Sequence, residues 1–125
     1  GILYTDDVLA RAIHLLGQQA GRDTALVYLS DHGESLGEGG LYLHGMPYAI
    51  APDEQKKVPM TMWFSPGFGR SLGLDAACLK RKAAIAAASH DNYFHTVLGL
   101  MQVATPEYLA GMDLLEGCRT TQPQS

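Results

Sequence analysis

Apolar positions recur at helical spacing in "YTDDVLARAIHLLGQ" (4–18), where Leu9, Ala12, Ile13 and Leu16 share one face before Gly17. Thr5 can cap that helix with Asp6 and Asp7 at its positive end, and His14 falls between the apolar positions as a partly exposed residue. After a short polar turn, "TALVYLS" (24–30) is almost continuously apolar and rich in strand formers, which predicts a strand covered on both faces. From 33 to 57 the periodicity disappears: five glycines fall between 33 and 45, two prolines follow, and the stretch ends in a charged "DEQKK". Loops of that length in a compact domain are usually functional. "VPMTMWF" (58–64) predicts a second strand, with Pro59 placing its start at a sheet edge.

Beyond it, "SPGFGRSLG" reads as turn chemistry. An alanine-rich helix is expected over about 76–87, and its "LKRK" as a solvated face. A further helix, "NYFHTVLGLM", is capped by Ser89 or Asp91 and carries Phe94, Val97, Leu98 and Met101 on one face. Thr105-Pro106 opens a last short helix, and "RTTQPQS" is expected to fray. Helix, short turn and buried strand together make an α/β layer fold with a parallel or mixed sheet, in which functional groups gather at the carboxyl ends of strands.

Composition sharpens this picture. The 125 residues suit one domain, and 46% hydrophobic content indicates a globular chain. Thirteen acidic against nine basic residues, a net charge of −4, leave no basic face for a nucleic acid. No window approaches the roughly 18 to 20 apolar residues of a membrane helix. Gly1 lies inside a pattern that already looks helical, so the sequence is expected to belong to something longer. Cys78 and Cys118 are too far apart for a CxxC site and leave two readings open, a disulfide or two buried thiols.

The chemistry concentrates in "LVYLSDHGESLGEGGLYLHG" (26–45), where the first strand runs into Asp31 and His32. A carboxylate beside an imidazole suits zinc, with manganese as competitor. Strand neighbours point to opposite faces, so Gly33 must supply the bend that lets the two share an ion. His44 returns from the glycine loop toward the same place, and Glu34 and Glu38 are further oxygen donors. His90 and His95 are read as capping and packing residues of the later helix. Two protein ligands are too few for a catalytic zinc, so others must come from elsewhere.

The wording of the stretch "YLSDHGESLGEGGLYLHGMPYAIAPDEQKKVPMTMWFSPGF", followed by "SHDNYFHTVLGLMQV", closely resembles the lipid A phosphoethanolamine transferases, including the mobile colistin-resistance enzymes, in the sulfatase branch of the alkaline phosphatase superfamily. The resemblance runs from "ILYTDDVLARAI" to "EGCR". It implies an α/β/α sandwich, here its C-terminal portion, in a catalytic domain whose membrane-spanning region and nucleophile segment lie upstream. It implies zinc bound by Asp31 and His32, and His44 at a second zinc or the phosphoryl group. The reaction implied moves phosphoethanolamine from phosphatidylethanolamine to a lipid A phosphate through a phosphorylated threonine, at the periplasmic face of the bacterial inner membrane, and protects against polymyxins such as colistin. Neither Thr5 nor Thr24 sits in a stretch resembling the nucleophile motif, so no catalytic nucleophile is expected in this chain, and alone it is expected to be inactive. An oxidising periplasm favours a Cys78–Cys118 bridge. Two other readings remain: a related phosphoryl- or sulfuryl-transfer enzyme with another substrate, and a non-catalytic metal-binding module.

Overall fold

In the computed structural model, which describes residues 1–85 and 87–121, the chain divides into two compact units. The first comprises residues 1–20 and 24–64, and the second residues 21–23 together with the chain from Ser65 onward.

In the first unit, helix α1 (Ile2–Gly17) starts earlier than its capping signals imply. Nothing in Ile2–Tyr4 breaks a helix, so Gly1 takes the N-cap position and Thr5 lies inside, while Asp7 pairs with Arg11 one turn on at 2.7 Å. The expected apolar stripe of Leu9, Ala12, Ile13 and Leu16 is half-buried, whereas His14 is exposed and bonds Gln18. Strand β1 (Ala25–Leu29) is half-buried along its whole length without alternation, as an apolar run requires.

The residues between the strands are more ordered than their composition suggests. Strands β2 (Ser35–Leu36) and β3 (Tyr42–Leu43) form a small antiparallel hairpin around a 3-10 turn at Glu38–Gly40, and helix α2 (Asp53–Lys56) closes the segment. Strand β4 (Met60–Phe64) then pairs with β1, with Ala25 opposite Phe64 and Leu29 opposite Met60. That pairing is antiparallel, so the parallel or mixed arrangement expected from the helix–strand alternation does not occur among the strands of the described residues. The long connection between β1 and β4 folds back on itself instead of crossing over, which antiparallel neighbours permit. Pro59 sits just before β4 and its carbonyl accepts the Ser30 N–H, extending the ladder one step past β1.

In the second unit, "SPGFGRSLG" forms helix α3 (Pro66–Leu72), not a turn. Ser65 Oγ accepts the Phe68 N–H, Pro66 takes the first helical position and Gly73 closes the helix in the left-handed region at φ 60°. The serine, proline and glycine are therefore helix-end signals. Gly67 lies inside, and a Cβ there would push against the Asp23 carboxylate. Helix α4 (Ala76–Ile85) is capped by Asp75, whose Oδ1 accepts from Ala77 and Cys78 N–H. Lys80 and Arg81 are exposed as expected, but Lys82 donates to the Glu116 carbonyl at 2.8 Å. The expected end of this helix runs past Ile85 onto Ala86, which lies outside the described residues, and Ala87 is not helical.

Helix α5 (Asp91–Leu100) turns a different face inward from the one its apolar spacing predicts. Thr96, Gly99 and Leu100 are buried, while Phe94 and Met101 are 53% and 69% exposed. The reason is polar. Thr96 Oγ1 accepts the Leu114 N–H, and Gly99 lies against the Asp113–Arg119 ion pair, where a Cβ would come 1.9 Å from Asp113 Oδ2. No last helix opens at Thr105-Pro106: the chain turns there, and only a 3-10 turn at Ala110–Met112 follows. The start of the tail does not fray either. Arg119 is buried, Leu74 and Arg119 form a bridge, and Thr120 and Thr121 N–H bond the Gly73 and Leu72 carbonyls; residues 122–125 lie outside the described ones.

Asp113 and Arg119 side chains are fully buried at 2.6 Å, with the Tyr108 hydroxyl donating to Asp113 Oδ2 at 2.8 Å and accepting from Arg119 at 2.9 Å. Burial, then the Asp113 carboxylate, pushes Tyr108 from its usual 10.0 up to about 12. Cys78 and Cys118 are joined by a disulfide across 40 residues, with Cα atoms 5.5 Å apart, so of the two open readings the bridge is the one formed.

Two outcomes follow from this second unit. The folded state holds the Tyr108 proton more tightly than the unfolded chain, so its contribution is intact below pH of about 10 and is lost as pH rises through about 12. Urea unfolding across that range should show the decline, and Tyr108→Phe should remove it. Titration of unreduced, unfolded protein should find no free thiol, and replacing both cysteines by alanine should lower stability by about 4 kcal/mol for a closed loop of this length.

Candidate functional site

The site forms where β1 ends. Ser30 Oγ donates to the His32 carbonyl at 2.8 Å, and Asp31 Oδ1 accepts the His32 backbone N–H at 3.1 Å, so both ends of the Asp-His pair are held by local bonds. His32 Nδ1 lies 2.9 Å from the Gly33 carbonyl. A carbonyl oxygen only accepts, so Nδ1 carries the hydrogen and Nε2 is left with its lone pair when the ring is neutral. Nε2 faces Asp31 Oδ2 at 3.7 Å. Two donors that far apart can each reach one zinc at about 2.0–2.2 Å, and an imidazole whose other nitrogen is pinned to a carbonyl is the usual state of a metal-binding histidine. The residues present therefore fit the group that the resemblance implies.

Gly33 is needed here for a reason other than the one its position suggests. Its φ is not in the left-handed region; instead a Cβ would sit 1.9 Å from the Glu54 carbonyl oxygen. The bend at the end of β1 is a close approach of two backbones, sealed by the Gly33 N–H donating to the Gln55 carbonyl at 3.1 Å.

His44 comes back to this place from the hairpin. Its ring centroid lies 4.0 Å from that of His32, tilted by 31°, and its Nδ1 is 3.7 Å from Glu34 Oε1. The turn that delivers it is tight: Leu43 has φ 66°, unusual for a branched side chain, and Gly45 has φ 98°. Glu38 is spent on the hairpin. Its own N–H and that of Leu36, the latter 2.7 Å from Oε2, hold its carboxyl below the ordinary range and engage it within the hairpin. His95 Nδ1 accepts the Leu109 N–H, in keeping with a packing role, whereas His90 stands at the N-cap position of α5 without a side-chain cap hydrogen bond.

Asp31, His32, Glu34 and His44 thus form one exposed cluster, the Asp31 side chain being 89% and that of His32 45% accessible. Among the described residues, no three histidine, cysteine, aspartate or glutamate side chains are gathered closely enough to hold an ion by themselves. The chain supplies a pair of ligands, Asp31 and His32, with a second imidazole, that of His44, beside them. Sequence reasoning missed Gln55 and Ser35, both buried and bonded to each other at 2.9 Å. Inside "DEQKK" a glutamine reads as one more solvated residue, and no periodic signal marked it.

Substituting Gly33 by alanine should destabilise the protein by about 1–3 kcal/mol through forced separation of the two backbones. Thermal unfolding measures this, and a Gly33→Ala protein melting like the parent would contradict the close approach.

The sulfatase family profile matches residues 1–103. Phosphoethanolamine transferase EptA of Salmonella typhimurium is 50% identical over 119 residues, 94% of this chain and 22% of the relative. Lipooligosaccharide phosphoethanolamine transferase A of Neisseria meningitidis superposes with a TM-score of 0.92 at 48% identity over 96% of this chain, covering 36% of its soluble domain and 23% of its integral membrane form. The C-terminal periplasmic domain of phosphoethanolamine transferase EptC from Campylobacter jejuni superposes at 0.79 with 42% identity, over 97% of this chain and 37% of that one. The chain spans about a fifth of the length of the curated relatives it matches. With most of its length under the family profile and its fold shared with these transferase domains, the chain belongs to the sulfatase family and has its α/β fold.

Proposed function

We propose that this chain is the C-terminal part of the catalytic domain of a zinc-dependent phosphoethanolamine transferase. The enzyme transfers the group from phosphatidylethanolamine to a lipid A phosphate, through a threonine outside this chain, at the periplasmic face of the inner membrane. The observation that carries the reading is the pairing of Asp31 Oδ2 and His32 Nε2 with the His32 Nδ1 hydrogen fixed on Gly33, in a chain half identical to a phosphoethanolamine transferase. No helix of the described residues is long and apolar enough to cross a membrane. Anchoring then falls to other parts of the protein, in line with the integral membrane form of the Neisseria relative.

Asp31 and His32 would hold the zinc, with its remaining ligands supplied from outside this chain. When bound, the zinc supplies a Lewis acid that lowers the pKa of a hydroxyl nucleophile and offsets charge developing on the phosphoryl oxygens. Asp31 contributes the negative charge of the pair, and the Gly33 carbonyl keeps the His32 lone pair on Nε2. His44, with Glu34 beside Nδ1, would meet the phosphoryl group or a second zinc. Masking a lipid A phosphate with an ammonium-bearing group weakens the attraction of cationic polymyxins, which gives the resistance expected of the full-length enzyme.

In the full-length protein, Asp31→Ala and His32→Ala should each cut phosphoethanolamine addition to lipid A by more than about 100-fold, beyond the 10- to 100-fold typical for losing a group that only supports a ligand. Mass spectrometry of lipid A and polymyxin susceptibility measure it. Full modification in either variant would remove the assignment, and an unmodified lipid A with the parent protein would point to a different sulfatase-type substrate.

A further inference from the structure

Gln55 is the third residue of α2, 8% exposed, and every hydrogen-bonding group it presents toward the candidate site is used. Its backbone carbonyl accepts the Gly33 N–H at 3.1 Å. Its side-chain Nε2 donates to Ser35 Oγ at 2.9 Å, and its Oε1 accepts the Met46 N–H at 3.4 Å. The amide orientation is dictated by the partners, because a backbone N–H can only donate and so must face the oxygen. One residue therefore bonds the chain one and three positions after His32 and two positions after His44.

A glutamine side chain ends in an N–H donor and a C=O acceptor on separate atoms, which lets it hold two partners at once, and asparagine reaches one methylene less far. Ser35 is 1% exposed, so the amide–hydroxyl bond is made away from water, where an unmade partner is costly. The strained Leu43 backbone also needs an outside restraint, since such a conformation persists only where its surroundings over-determine it. The Met46 anchor lies just past that turn, and the Glu54 carbonyl fills the space above Gly33.

We propose that Gln55 is a positioning residue: by clamping the segments that follow His32 and His44 it holds both imidazoles in place, and so sets the affinity of the site built on Asp31 and His32, with His44 beside them, for a divalent metal. This rests on the metal-binding reading of that pair. Gln55 touches neither imidazole and acts through Gly33, Ser35 and Met46.

The test uses the full-length protein with zinc alone as the probe, measured by competition with a chromophoric chelator, and cobalt absorption as a report of ligand geometry. Gln55→Met keeps the length of the side chain and removes both side-chain bonds. It should weaken zinc binding by about 10-fold or more, alter the cobalt spectrum and speed amide exchange at Met46. Ser35→Ala breaks only the Nε2 bond and should cost about 2- to 10-fold; it carries the test if Gln55→Met does not fold. Parent-like zinc affinity and cobalt spectrum in the folded variant, with or without a lower melting temperature, while Asp31→Ala loses zinc, overturns the positioning role alone. Parent-like zinc affinity in Asp31→Ala overturns the site reading and the positioning role with it.

Discussion

At Gly33 the chain passes so close to the Glu54 carbonyl that no side chain fits between them. The rest of the candidate site depends on that approach. It lets the Gly33 N–H reach the Gln55 carbonyl just beyond Asp31 and His32, while the Gly33 carbonyl stays free to hold the His32 ring hydrogen. A methyl group there would separate α2 from the end of β1 and release the site from both sides. The aspartate and histidine are thereby presented at the strand's carboxyl end, where α/β folds place their chemistry.

The second unit solves a different problem with a related device. Beside its buried apolar residues Leu72, Leu100 and Leu115 it holds a buried ion pair, Asp113 with Arg119, completed by the Tyr108 hydroxyl and the Leu115 N–H. Gly99 is the residue that lets a helix lie against that pair. A buried pair is costly to desolvate and still more costly to break, so each hydrogen bond around it matters. The Cys78–Cys118 disulfide and the short bridge of Leu74 with Arg119 tie the same chain segment to its surroundings. Both units thus use a glycine to bring polar groups within hydrogen-bonding distance.

The places where sequence patterns succeeded and failed follow from what they measure. The stripe on α1 and the two strands were legible because apolar spacing reports burial when burial is apolar. On α5 the same logic chose Phe94 and Met101, which are exposed, because the inward face is built from Thr96 and Gly99 around charged neighbours. The α3 segment looked like a turn because two interior glycines masked a serine–proline start and a glycine stop. The antiparallel pairing of β1 and β4 was hidden because a twenty-five-residue connection carries no sign of which way it returns.

The sequence by itself placed a carboxylate beside an imidazole at the end of an apolar run, Asp31 and His32, and it identified the family through a long contiguous motif. Whether His44 joins them was decided only by tertiary structure, while the bonds that fix the His32 lone pair and engage Glu38 join near neighbours and depend on backbone angles that residue order does not specify. The physical reason is range. Chemistry carried by neighbouring residues is written in their order, whereas a clamp such as Gln55 joins residues 9 to 22 positions away through hydrogen bonds that leave no periodic trace.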